Sequence, residues 1–418
     1  MRKIYISDNT LRHTGVDSEE PLSFRLKLEI AKYLDELGVT AIETAPILDS
    51  KTDYFLVKSI ASAVKNAGVA VPVDILNPDS PSLSWDALKD AARPRLQVHV
   101  PASTVQIEYF CHKKPAALLE LVSERVAACA ELCKEVEFIA HDFTRADASF
   151  LKSAIAAAVA AGANIVTLSD SAGNLLPDEF FKAVSEIRRE IPEGVRFGVQ
   201  CSNEIHLAEA CAVAAVRAGA DEIKTAVLGH NSASLLRLSR IISARADLLD
   251  AACDIRMTEV GHVTETIRQK CKAYRENPRT ASGTISEENL DAAPAEEPVP
   301  ETYRLESYLI NSGNIISSTC HLRLRKGEEL LESVCVGNGP VDASFQAVEK
   351  VVGARYELDD FKIRSVTEGR EAMGETVIAL RHEGKLYSGK GVSTDIVGSS
   401  ILAYLDAANK IAYEEEKA

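Results

Sequence analysis

The chain reads as a (β/α)8 TIM barrel followed by a smaller α+β domain of duplicated βββα units. Three observations carry this reading. Eight short, β-branched runs alternate with longer Ala/Leu/Glu/Lys stretches over residues 3–227; the composition changes abruptly at Asn277; and after Tyr303 a phrase of strand, Gly-containing turn, Asp and helix occurs twice.

The eight runs are Lys3–Ser7, Thr40–Thr44, Ala70–Ile75, Leu96–Val100, Val136–Ala140, Asn164–Ser169, Val195–Gln200 and Glu222–Val227. Stretches between them, such as Arg25–Leu37 and Leu118–Cys133, have helical spacing, and several are expected to close on a capping glycine at 38, 68, 162 and 219. Eight regular βα units fit a closed barrel. The rival, a doubly wound sheet, usually shows a Gly-rich phosphate turn after its first strand, whereas here the first strand runs into DNTLRHTG. The barrel domain is expected to span 1–276.

Residues 277–302 (NPRTASGTISEENLDAAPAEEPVPET) hold Pro, Ala, Ser and acidic side chains with almost nothing to bury, so they read as a flexible or extended linker. The second domain, 303–418, contains ESVCVGNGPVDASFQAVEKVV in its first half and LYSGKGVSTDIVGSSILAYLDAANKI in its second. Gly337, Gly339 and Gly391 would let the backbone turn tightly and leave amides bare at a helix N-terminus, beside Asp342 and Asp395, a place that attracts carboxylates and phosphates. The plainer alternative is that these glycines only shape turns.

Composition narrows the function. With 46% hydrophobic and 26% charged residues over 418 positions the chain can bury a core, and a formal charge of −15 argues against a nucleic-acid or anionic-membrane surface. The N-terminus lacks a signal-peptide apolar core and no run has the length of a membrane helix, so a cytoplasmic protein is expected. Nine cysteines without a CxxC pair read as reduced core thiols.

In a barrel of this kind the functional groups stand at the C-terminal ends of the strands. Those ends carry Asp8, Asn9, Arg12 and His13; Glu43; His99; His141, Asp142 and Arg145; Asp170 and Ser171; Gln200, Ser202, Asn203 and Glu204; and His230 and Asn231. Ser171, Asn203 and Asn231 can also be read as helix N-caps. Arg12 is harder to assign to structure, because an Arg in a barrel mouth calls for a carboxylate partner or an anionic ligand.

The segments DNTLRHTG, DELGVTAIET, VEFIAHDFTRAD, IVTLSDSAG, VQCSNEIHLAEACAVAAVRAGADEI and TAVLGHNSAS resemble the metallolyase-type barrel family that contains 2-isopropylmalate synthase, homocitrate synthase and 3-hydroxy-3-methylglutaryl-CoA lyase. GNGPVDASFQAV and GVSTDIVGSSILA resemble the leucine-binding dimerisation domain of 2-isopropylmalate synthase. The resemblance implies a Claisen-type condensation of an acyl-CoA with a 2-oxo acid in amino-acid biosynthesis. It further implies a divalent metal that polarises the oxo-acid carbonyl, a homodimer, and a small amino-acid effector near Gly337–Asp342 and Gly391–Asp395.

Carried over residue by residue, the resemblance keeps the family's Arg as Arg12 and its Asn as Asn203, while the metal-binding positions fall on His13, Gln200, Ser202 and Ser234. His141 stands where the family has a catalytic Glu, and Asp170–Ser171 stands for an Asp-Thr pair. Arg12 is expected to hold the oxo acid, with hydroxyl contacts from Thr144 and Ser171 and with Asn203 beside them, and His141 to act as acid/base. A metal at the family position would lose its anionic ligand and both imidazoles. The reading therefore divides between a condensing enzyme that works through His residues, or through a relocated site among His13, His99, His141 and His230, and a non-catalytic paralogue that binds a carboxylate metabolite and acts as a regulatory or partner protein. A purely structural assembly protein would leave Arg12 unexplained.

Overall fold

The computed structural model describes residues 1–14, 22–47, 51–229, 231–276, 299–313, 316–365, 374–393 and 395–417. Its contacts divide it into two units, Met1–Pro294 and Ala295–Ala418. Most of the expected linker, 277–298, lies outside the described residues.

In the first unit the strands are β1 (Tyr5–Asp8), β2 (Ala41–Glu43), β3 (Gly68–Val73), β4 (Pro94–Pro101), β5 (Glu135–His141), β6 (Ile165–Ser169), β7 (Arg196–Gln200) and β8 (Glu222–Ala226). Each pairs in parallel with the next, and β8 returns to β1 with Tyr5 opposite Glu222 and Asp8 opposite Thr225, so the sheet closes. The principal helices between and after the strands are α1 (Phe24–Leu37), α2 (Lys51–Ala63), α3 (Ser80–Leu88), α4 (Pro115–Leu132), α5 (Ala148–Ala160), α6 (Pro177–Arg188), α7 (Ala208–Arg217), α8 (Leu235–Ala244) and α9 (Val260–Glu276).

Local sequence explains these elements. Ser23 caps α1 by accepting the Leu26 amide, Leu26, Ile30, Leu34 and Leu37 bury one stripe, and Gly38 ends the helix at φ 92°. A side chain at Gly38 would be strained and would meet the Asp254 carbonyl at 2.5 Å, so glycine is required twice over. Gly68 is a correction. Helix α2 ends at Ala63 and Gly68 opens β3, two residues before the expected run, because its amide bonds to Thr40 and enters the ladder. The first expected run also divides: Arg2–Lys3 pairs with Ala251–Ala252 outside the barrel, and β1 proper begins at Tyr5.

The second unit contains β9 (Arg304–Gly313), β10 (Ile316–Lys326), β11 (Glu329–Gly337) and α10 (Pro340–Val352), then β12 (Glu357–Ser365), β13 (Gly374–His382), β14 (Lys385–Ser393) and α11 (Ile396–Lys417). Each half is a three-stranded antiparallel meander followed by a helix, as the repeated phrase predicts. One apolar core serves both halves, built from residues such as Leu322, Leu324, Ile378, Leu380 and Tyr404.

Gly391 is not a turn residue. It lies within β14 opposite Thr376, and a Cβ there would sit 2.1 Å from the Ser399 carbonyl, so it lets the strand lie directly against α11. Gly337 closes β11 in the same way against Ala343, and Gly339, with extended backbone and open space around it, starts α10.

None of the nine cysteines forms a disulfide among the described residues, and most are buried. Among the described residues no helix is long and apolar enough to cross a membrane.

Candidate barrel-mouth site

Barrel interiors are usually filled by branched aliphatic side chains. This one is filled by ions. Near the N-terminal end of the barrel, Arg95 on β4 donates to Glu222 on β8 at 2.6 Å and reaches Glu137 on β5 at 3.4 Å, and Arg196 meets the second oxygen of Glu222 at 3.2 Å. Ser7 also donates to Glu222. One layer up, Lys224 on β8 pairs with Glu43 on β2 and with Glu137 at 2.7 Å. Glu137 further accepts from Gln97 at 2.8 Å and from Thr167 at 2.6 Å.

Burial works against the charges of Arg95, Glu137, Glu222 and Lys224, and their mutual attraction outweighs it. Lys224 and Arg95 are held above their ordinary pKa by the surrounding carboxylates, and Glu137 and Glu222 below theirs by Lys224 and Arg95. The sequence did not single out Arg95, Gln97, Glu137, Glu222 or Lys224. Their alternation on strands was the available signal.

The network ends at Arg12, in the short turn Thr10–His13 after β1. Its guanidinium lies 3.6 Å from Glu43, and Nη2 donates to His99 Nδ1 at 3.2 Å. His141 Nε2 lies 2.7 Å from the same nitrogen, with the two rings stacked. Since Arg12 can only donate, His99 Nδ1 is assigned as the acceptor and His141 Nε2 as the protonated nitrogen. Burial and the Arg12 charge push the His141 pKa down to about 3 and that of His99 well below its usual value, so both rings are neutral at physiological pH.

The mouth contrasts with the interior in what it leaves open. Asp8 Oδ2, Asn9 Oδ1, Arg12 Nη1, Glu43 Oε2, Gln200 Oε1 and Ser202 Oγ are buried side-chain atoms without a hydrogen-bond partner. Such atoms are few in folded proteins, and each is completed by function or by an ordered water. Asp8, whose other oxygen accepts the Thr10 amide at 2.9 Å, has a pKa raised to about 7, chiefly by burial.

The remaining expected residues are placed as follows. Thr144 donates to Asp170 at 3.0 Å, and the same Asp170 oxygen accepts the Ala172 and Gly173 amides. Ser171 is exposed in that turn and does not cap a helix, since α6 starts only at Pro177. Asn203 accepts the Ala208 amide at the entry to α7, and its own amide donates to Asn231. Ser234 accepts the Arg237 amide as the cap of α8. His230 lies outside the described residues.

Of the four residues that the sequence resemblance assigns to a metal, Ser234 is committed to its helix, Gln200 and Ser202 are neutral, and His13 is the one strong donor, a set that does not suit a divalent cation. Among the described residues no three His, Cys, Asp or Glu side chains converge as a metal site.

In the second unit one of the two helix starts is filled from within. Asp395 accepts the Val397 and Gly398 amides at the start of α11 and the Tyr308 hydroxyl, which holds its pKa below the usual range, so the expectation of bare amides is corrected there. At α10 Asp342 accepts the Asn338 amide, just before the helix, at 2.8 Å and Gln346 at 3.0 Å, and Gly339 offers no side-chain cap.

A closed barrel with its polar groups at the strand ends, followed in the chain by a duplicated βββα unit, defines a class of two-part barrel proteins. Comparison with protein families matches residues 3–263 to the HMGL-like family and residues 285–412 to the LeuA allosteric (dimerisation) domain. The chain belongs to the HMGL-like family.

Among curated proteins it is 29% identical to 2-isopropylmalate synthase of Clostridium kluyveri, covering 99% of this chain and 97% of that one, and 26% identical to 2-isopropylmalate synthase of Pyrococcus abyssi, covering 96% and 100%. The first alignment runs over 503 residues, longer than this chain, so that relative carries segments absent here. Among solved structures, HMG-CoA lyase of Bacillus subtilis superposes with a TM-score of 0.53 at 14% identity, over 65% of this chain and 95% of that one. An HMG-CoA lyase from Acinetobacter baumannii, in complex with coenzyme A and 3-methylmalate, gives 0.53 at 13% identity, over 67% and 97%. These likenesses support the barrel fold. Enzymes of this family are of the acyltransferase and lyase type and typically depend on a divalent metal.

Proposed function

We propose that the protein condenses an acyl-CoA with a small 2-oxo acid, in the manner of 2-isopropylmalate synthase, in a barrel mouth that does not use a metal at the family position. The observation that carries the reading is Arg12, whose buried Nη1 makes no hydrogen bond and has only a long ion pair with Glu43 at 3.6 Å, in a mouth where Asp8, Asn9, Gln200 and Ser202 each keep a buried oxygen without a hydrogen-bond partner. A guanidinium there suits an oxo-acid carboxylate and the oxygen that becomes negative as the new bond forms. Protonated Asp8, with its pKa near neutrality, is a hydrogen-bond donor to the same oxygen. Thr144, Ser171 and Asn203 would bound the carboxylate from the neighbouring strand ends.

In the condensation the acyl α-carbon loses a proton, attacks the ketone carbon, and the resulting alkoxide is protonated. Hydrolysis of the thioester then releases CoA. Neutral His141 is reached from Arg12 through His99, and an anion on Arg12 would offset part of the charge that depresses it, so oxo-acid binding raises the basicity of His141 before the proton is taken.

In the second unit a small amino or 2-oxo acid would bind around Gly337–Asp342 and Gly391–Asp395, at the start of α10 and beside or in place of the Asp395 cap, and two copies would associate as the domain's family description states. A cytoplasmic location belongs to the same reading. The donor set at His13, Gln200, Ser202 and Ser234 also supports a second reading, a non-catalytic carboxylate-binding paralogue.

Free-thiol release from acetyl-CoA in the presence of pyruvate, 2-oxoisovalerate or 2-oxoglutarate, with and without chelator, separates the two. Turnover that survives chelation supports the proposal. A melting shift with oxo acids but no thiol release supports the paralogue, and silence in both assays removes Arg12 from any site.

A further inference from the structure

The hydrogen of the His99 ring is placed from outside the pair it forms with His141. Arg12 Nη2, which can only donate, meets His99 Nδ1 at 3.2 Å. On the other side of the ring Gln97 Nε2 donates to the Glu137 carboxylate at 2.8 Å, so the Gln97 amide oxygen is left for His99 and faces its Nε2 at 3.5 Å. A neutral imidazole carries one hydrogen. Both rings are neutral, and both neighbours of His99 place that hydrogen on Nε2, since Arg12 needs a lone pair at Nδ1 and Gln97 offers an acceptor at Nε2. The first constraint comes from the turn after β1, the second from the ladder of β4 with β5, where Gln97 lies opposite Glu137.

His141 inherits this order. His99 lies opposite Ile139, which makes His141 its diagonal neighbour on the same face of the sheet. His141 Nε2 and His99 Nδ1 are 2.7 Å apart, with ring centroids at 4.9 Å and ring planes inclined by 27°. Two lone pairs at that distance would repel each other. The His141 hydrogen therefore sits on Nε2, in the bond to His99, and the electron pair able to accept a proton is on Nδ1. In the opposite arrangement the basic nitrogen of His141 would point into His99 and be closed to a substrate.

We propose that His99 is a positioning residue for His141: it keeps the hydrogen on Nε2 and makes Nδ1 the nitrogen that takes a proton, with Gln97 and Glu137 fixing His99 in turn. That the proton is the acyl α-proton rests on the condensing-enzyme reading above. In that step the electron pair of the C–H bond forms the new carbon–carbon bond, and the proton goes to His141 Nδ1. The hydrogen on Nε2 stays in its bond to His99. The added proton then passes to the alkoxide, which returns the ring to the same neutral form, ready for another cycle. A histidine held this way by a neighbour that does not itself react follows the logic of an oriented catalytic base.

Proton–nitrogen correlation spectra of the full chain, with heavy nitrogen in its histidine rings, test this without turnover. In the parent both His99 and His141 are expected to carry hydrogen on Nε2. His99→Leu removes the acceptor, so the His141 nitrogens should shift toward the averaged values of a ring that exchanges its hydrogen freely. His99→Asn sets an amide oxygen near the place of Nδ1 and should keep the parent pattern. In the thiol-release assay His99→Leu should lower kcat by about tenfold or more and change KM by less, and His99→Asn should recover most of that loss. Gln97→Met should act in the same direction by about threefold.

Hydrogen on Nδ1 of either ring in the parent would overturn the proposal, a criterion that needs no variant to fold. So would a His141 pattern unchanged in His99→Leu, or a loss of kcat that His99→Asn leaves in place while its unfolding curve matches the parent's. Spectra as expected with no thiol release from any oxo acid would count against the condensing reading and leave the positioning of His141 standing. Thiol release indifferent to His99→Leu would overturn the positioning and leave the condensing reading standing.

Discussion

The two ends of the barrel interior are built from the same residue types and finished differently. At the N-terminal end Arg95, Arg196, Glu137, Glu222 and Lys224 have their polar atoms matched across strands, and the centre of the barrel is an ionic plug. At the C-terminal end Arg12 touches Glu43 only at 3.6 Å, and five neighbouring side chains keep an open polar atom. The matched end can be explained by folding alone, and the open end is where the proposed ligand would complete the polar atoms.

The strongest way to break the comparison is at the matched end. Lys224→Met leaves Glu43 and Glu137 buried beside an uncharged neighbour, and removing one partner of a buried pair costs ~3–5 kcal/mol. Urea unfolding should show that loss, and adding Glu43→Gln should return part of it. If Lys224→Met is as stable as the parent, the interior ions are not a structural plug.

Arg12→Ala addresses the open end and should do the reverse. Stability should change by less than ~1 kcal/mol, since the Glu43 contact is long and the side chain partly exposed, while affinity for a bound 2-oxo acid should fall by ~2–3 kcal/mol. Parallel melting and calorimetry would show whether the two ends separate in this way.

Much of this architecture is legible in the residues. Short β-branched runs alternating with Ala-rich stretches give eight strands, and the duplicated phrase gives the second unit. The glycines were harder, because a glycine that ends a helix, as Gly38 does, one that opens a strand, as Gly68 does, and one that lets a helix lie on a strand, as Gly391 does, look alike until their neighbours are known.

The mouth was partly legible. Arg12, Glu43, His99 and His141 stand at strand ends and could be listed, but the contact of Arg12 with His99 spans 87 positions and has no local signature. The ionic plug left only an ambiguous signal. Glu137, Glu222 and Lys224 alternate with apolar neighbours as solvent-facing strand residues would, and only closure of the barrel turns that face inward.

Asp8 offers a finer test of the open end. Its pKa is raised from 3.8 to about 7, so between those values the folded state holds a proton that the unfolded state has lost. Stability from this group is therefore fully present below about pH 4 and is lost as pH rises through 7. Asp8→Asn keeps an acceptor for the Thr10 amide and removes the buried charge, so it should stabilise the protein by ~1–3 kcal/mol at pH 8 and by little at pH 5. A gain equal at both pH values would mean that the carboxyl is not the group responsible.

His141 gives the opposite slope and the smallest effect. Its folded pKa is about 3 against an unfolded value of 6.5, so the unfolded chain takes up a proton first as the solution is acidified. The stability it contributes is complete above about pH 6.5 and declines as pH falls toward 3. His141→Asn should flatten the stability curve between pH 6 and 4 by ~1 kcal/mol, a value reduced from the full shift because the ring is partly exposed. The same measurement in saturating 2-oxo acid sharpens the contrast between the two ends. An anion on Arg12 removes part of the charge that depresses His141, so the parent slope should flatten in its presence while that of Arg12→Ala does not respond. If the parent slope is the same with and without ligand, Arg12 and His141 do not share a site.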